Sequence, residues 1–99
     1  MKIPKYLKVG KRWYKVDVLD KMGTPGLMGS TNYKTAYIEI AERSAKTNKR
    51  YKQEDVCDTF WHEITHAILK DMGSKLEANE EFVYSFSSRL NKAILSARF

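Results

Sequence analysis

The hydrophobic period changes once along this chain, near Gln53. Before that point apolar residues alternate, as in strands that bury one face. After it they recur at spacings of three and four, as in helices with one apolar side. A chain of 99 residues has material for one core, so the two halves must share it. The expected fold class is therefore α+β, a small antiparallel sheet of about three or four strands packed on two antiparallel helices. One domain is expected over 1–99, strand-rich over 1–41, with a basic connector at 42–52 and helices at about 53–72 and 78–96.

In the first half, Tyr6-Leu7-Lys8-Val9 and Arg12 to Val18 read as two strands about the tight turn Gly10-Lys11. Alternation places Tyr14, Val16 and Val18 inward and Lys15 and Asp17 outward. Lys21-Met22-Gly23-Thr24-Pro25-Gly26 has the composition of a loop. A second strand pair follows, Leu27 to Thr31 and Thr35 to Ile40, joined near Asn32-Tyr33-Lys34. Ala41 to Lys52 lacks periodicity and carries Arg43, Lys46, Lys49, Arg50 and Lys52, as an exposed connector does.

In the second half, Cys57, Phe60, Trp61, Ile64, Ala67 and Ile68 gather on one side of a helix. Glu54 and Asp55 suit the positive end of its dipole, and Gly73 is placed to end it. The next helix, from Ala78 or Asn79 to Ser96, has the stripe Phe82, Val83, Phe86, Leu90, Ala93 and Ile94. The link Gly73-Ser74-Lys75-Leu76-Glu77 is short enough to make the helices antiparallel neighbours.

The first helix also carries the run His62-Glu63-Ile64-Thr65-His66, which includes both histidines of the chain. Residues four apart share a helix face, with Cβ atoms about 6 Å apart. Two imidazoles at that separation converge on one ion at the usual zinc–nitrogen distance of about 2.0–2.1 Å. Glu63 lies about 100° around the helix from His62, badly aimed as a ligand but placed to take a proton from an activated water. Both histidines point away from the Phe60–Ile64–Ile68 stripe. The run thus predicts Zn2+ as cofactor, with His62 and His66 as ligands and Glu63 as the catalytic base of a peptidase.

A catalytic zinc usually takes three protein ligands and keeps one position open. With no further histidine, and with Cys57 among apolar positions, the candidates are carboxylates at the start of the second helix. Glu80 lies at the margin of the apolar stripe, one turn before Val83. Glu77 precedes the helix, and Glu81 faces the opposite side. The order of preference is Glu80, Glu77, Glu81. For the oxyanion, Tyr33, Tyr37 and Tyr84 are chemically suited, and none is singled out.

The run Asp58-Thr59-Phe60-Trp61-His62-Glu63-Ile64-Thr65-His66-Ala67-Ile68-Leu69, then Asn79-Glu80-Glu81-Phe82-Val83 and a helix reaching Leu90, carries a family likeness. It resembles the small metallopeptidase-like proteins of bacteriophages and prophages, minimal zincins distantly akin to the ImmA/IrrE-like and SprT-like peptidases. The likeness covers about Gln53 to Leu90. The strands Leu27-Met28-Gly29-Ser30 and Tyr37-Ile38-Glu39-Ile40 also suit the group, in which a strand edge beside the motif helix pairs with extended substrate backbone. The resemblance implies His62 and His66 as ligands, Glu63 as general base and a glutamate of the second helix as third ligand. It also implies a phage protein working in the host cytoplasm. The chain departs from the larger relatives in lacking a recognisable extra domain, which leaves the substrate open.

Composition narrows the setting. No apolar run approaches the roughly 20 residues that span a bilayer, and no partner in the membrane is expected. A single cysteine forbids an intrachain disulfide, and with no signal-like start the expected location is cytoplasmic. The net charge of +6 favours acidic partners. Besides a protein or peptide substrate, two alternatives follow. One is a zinc-stabilised protein-binding module without turnover. The other is nucleic-acid association through Lys46, Lys49, Arg50 and Lys52, with Tyr51 stacking on a base.

Overall fold

A computed structural model describes residues 1–99. Four strands, β1 (Tyr6–Val9), β2 (Arg12–Leu19), β3 (Gly29–Asn32) and β4 (Tyr37–Ala41), precede helix α1 (Gln53–Asp71), a short 3₁₀ turn (Lys75–Ala78) and helix α2 (Glu80–Ser96). The fold is α+β, with a four-stranded sheet and two helices. Strand order is β1-β2-β4-β3. The outer pairs are antiparallel, as expected, but the central pair β2–β4 is parallel, so the sheet is mixed rather than wholly antiparallel. The reason lies in burial. Ile38 and Ile40 of β4 are fully buried, and a strand with that demand takes a central place. The short polar strand Gly29-Ser30-Thr31-Asn32 is left at the edge, reached by the loop that follows β2.

The β1–β2 turn has Gly10 at φ 60°, which suits the first position of a type II′ hairpin turn. Tyr14 and Val16 face the core, whereas Val18 is 39 % exposed and does not. The β1–β2 register ends at Tyr6↔Lys15, so β2 runs on beyond β1 and Val18 has a strand neighbour on one side only. The core lies between the sheet and α1, where Val9, Tyr14, Val16, Ile38 and Ile40 meet Val56, Phe60, Ile64 and Ala67.

Helix α1 ends in a Schellman motif. Ser74 N–H donates to Leu69 O and Gly73 N–H to Lys70 O, both at 3.0 Å, with Gly73 at φ 68°. Asn79 caps α2 by accepting from Phe82 N–H at 3.0 Å. The packing face of α2 keeps Val83 of the expected stripe but otherwise departs from it. Val83, Ser87 and Asn91 are buried, and Phe86 is 49 % exposed. Small residues let the helix axes approach, while Asn91 Nδ2 donates to Glu54 O across the interface at 3.2 Å. Phe82 and Phe86 stack together outside that seam, at 5.8 Å between centroids. Ile68 is likewise 43 % exposed rather than part of the core.

The connector at 42–52 folds back on itself. Arg43 pairs with Asp20 at 3.1 Å and bridges to Arg50, and Asn48 takes a positive φ to close the turn. No helix is long and apolar enough to cross a membrane.

Candidate metal centre

His62 and His66 sit one turn apart on α1, with ring centroids 5.0 Å from each other. They point away from the sheet, as the helical phase predicts, but that side is not open solvent: α2 packs against it. His66 is only 9 % exposed. Glu80, in the first turn of α2, lies on the same face as Val83 and Ser87, the seam that meets α1. Its Oε1 is 2.9 Å from His66 Nε2 and its Oε2 is 3.2 Å from His62 Nε2. The helix pairing thus brings together the three residues that sequence reasoning ranked first.

The donor set suits zinc. One nitrogen from each imidazole and one carboxylate oxygen lie within 4.8 Å of one another. Ligand atoms of a tetrahedral zinc are about 3.3 Å apart at bond lengths of about 2.0–2.1 Å, so side-chain adjustment of up to about 1.5 Å brings the three donors to coordinating distance. The Glu80 side chain is 70 % exposed, which leaves that side open to solvent. Glu77 lies elsewhere, 3.6 Å from His66 Nδ1, and its Oε1 accepts from the Tyr33 hydroxyl at 2.5 Å. Glu81 is exposed and outside the donor cluster.

Glu63 is buried beside the donors and is not one of them. The Thr31 hydroxyl of edge strand β3 donates to its Oε1 at 2.7 Å. Burial pushes this carboxyl above the usual carboxylate range, while the Thr31 hydrogen bond and the two nearby imidazoles pull the other way. Thr31 was not visible as a site residue, because its role depends on where β3 lies in the sheet.

Gly29 lets β3 and α1 come close. A Cβ at this position would stand 2.7 Å from Thr59 Cγ2 and 3.3 Å from Glu63 Cγ. Its neighbour Met28 accepts from Ala41 N–H at 2.8 Å. By antiparallel alternation through the register Ser30↔Glu39 and Asn32↔Tyr37, the peptide groups of Gly29 and Thr31 face the free edge. A cleft of about 540 Å³ opens between that edge and α1, lined by Leu27, Met28, Gly29, His62, Glu63 and Tyr84 among others.

The three tyrosines separate in role. Burial, together with its hydrogen bond to Glu77, pushes the Tyr33 hydroxyl well above the ordinary phenol range. Tyr37 donates to Asp17 at 2.6 Å, and this bond pushes it up to about 12. Tyr84 is 63 % exposed, with its ring 6.5 Å from that of His62. Tyr51 is half-buried, packing against the core on one side and lining the cleft on the other. No family model matches the chain, and no curated protein or solved structure matches it.

Proposed function

We propose that this protein is a zinc-dependent peptidase that holds its metal with His62, His66 and Glu80 and uses Glu63 as general base. The observation that carries the reading is the convergence of three donor atoms from two helices, with a separate buried carboxylate alongside. A zinc ion bound by these residues would supply Lewis acidity toward a water molecule and a substrate carbonyl. Glu63, held by Thr31, receives the water's proton at its carboxylate and passes it to the leaving amine. The free edge of β3 orients an extended substrate backbone through the Gly29 and Thr31 peptide groups. Tyr84 at the cleft mouth donates to the developing oxyanion. A reducing cytoplasmic setting accords with the buried free thiol of Cys57.

The test is incubation of the zinc-loaded protein with an unstructured protein substrate, reading new N-termini by mass spectrometry. Cleavage is expected to stop on chelation and to return with zinc. The Tyr84→Phe variant is expected to cleave about 10²-fold more slowly with unchanged zinc affinity; undiminished turnover would remove Tyr84 from the mechanism. A fully loaded protein that cleaves nothing would contradict the peptidase reading and leave a zinc-stabilised binding module in its place.

A further inference from the structure

We propose that Glu77, steadied by Tyr33, is the positioning carboxylate that fixes His66 for metal binding. The inference rests on the zinc reading above and adds a residue pair to it. An imidazole that presents the Nε2 lone pair to a metal carries its proton on Nδ1, and that N–H requires an acceptor. His66 Nδ1 is buried and has no hydrogen-bond partner in the protein. The carboxylate oxygen that faces it is Glu77 Oε1, 3.6 Å away. That is about 0.6 Å beyond an ordinary N–H···O bond, a gap that a small side-chain shift closes.

Glu77 is not placed as a fourth donor. It faces Nδ1, on the side of the ring away from Glu80, and lies outside the donor cluster. Its position is defined by its own contacts. The Tyr33 hydroxyl donates to Glu77 Oε1 at 2.5 Å, and the Lys70 ammonium lies 5.3 Å above the Tyr33 ring. The 3₁₀ turn carrying Glu77 is capped by Ser74, whose Oγ accepts from Leu76 N–H at 3.2 Å. One short segment, the four residues from Glu77 to Glu80, therefore meets both nitrogens of His66. His62 has a carboxylate contact at Nε2 alone. His66 is the fixed ligand, and Tyr33 acts on it through Glu77.

The test is zinc affinity measured by competition with a chelator, together with the visible absorption of the cobalt-substituted protein. Glu77→Ala is expected to weaken zinc binding about 10–100-fold. Glu77→Gln, which keeps an acceptor oxygen without charge, should fall between that variant and the native protein. Tyr33→Phe should weaken binding less and add nothing in the Glu77→Ala background. The cobalt bands should change in Glu77→Gln while metal-free thermal unfolding does not, which a merely structural role would not produce. Should Glu77→Ala fail to fold, Glu77→Gln and Tyr33→Phe, singly and combined, carry the same comparison. Native affinity and native cobalt bands in the Glu77 variants, with binding abolished by His62→Ala, would overturn this proposal and leave the metal site standing. Additive losses from Tyr33→Phe and the Glu77 variants would also overturn it. A native chain that takes up no zinc would overturn both.

Discussion

Replacing Glu63 with glutamine is expected to reduce peptide hydrolysis by about 10²–10⁴-fold, the usual contribution of a positioned acid–base group. Zinc affinity should stay within a few-fold of native, because Glu63 lies outside the donor cluster. The substitution keeps the shape of the side chain and the acceptor for the Thr31 hydroxyl, so β3 and α1 should keep their spacing. What is lost is the ability to take a proton. Steady-state turnover of zinc-loaded protein, read beside a zinc titration, separates the two effects. Native turnover in Glu63→Gln would assign the base elsewhere. A parallel loss of zinc would make Glu63 a ligand, against the geometry.

The second large effect concerns the scaffold. Phe60 is 1 % exposed and lies in the cluster that joins α1 to Ile38 and Ile40 of β4. Phe60→Ala is expected to cost about 3–5 kcal/mol through lost burial and the cavity left behind. Small domains have about 5–15 kcal/mol of stability in total, so this one change takes a large share. Urea unfolding should be measured with chelator present, because bound metal adds stability of its own. On the same helix, Ile68→Ala should cost less than about 1 kcal/mol, since Ile68 is 43 % exposed. Equal losses from the two variants would contradict the placement of the core.

The parts of this site that were legible in the sequence are those set by local geometry. His62, Glu63 and His66 depend only on helical spacing, and Glu80 follows from its phase relative to Val83 once the link between helices is seen to be short. The partners that hold these residues were hidden for a physical reason. Thr31 meets Glu63, and Tyr33 meets Glu77, only because β3 lies at the sheet edge beside α1. Strand order is a long-range property that alternation does not encode. The same limit concealed the parallel β2–β4 pairing.

Helix α2 offers a different lesson. Its large apolar residues suggested a face, yet the seam uses Val83, Ser87 and Asn91, where small size and a hydrogen bond to Glu54 O permit close approach. The glycine in β3 was the one available signal of a tight contact, since glycine within a strand marks close approach of a neighbour.

The central claim is that two histidines of α1 and a glutamate of α2 hold a metal ion together. Metal analysis of protein purified without added metal, before and after chelation and zinc titration, tests it most directly. The expected result is about one zinc per chain in the native protein and none in a folded His62→Ala variant, as a three-residue zinc site requires. Native protein that stays folded and refuses zinc in titration, or equal zinc in His62→Ala, would contradict it.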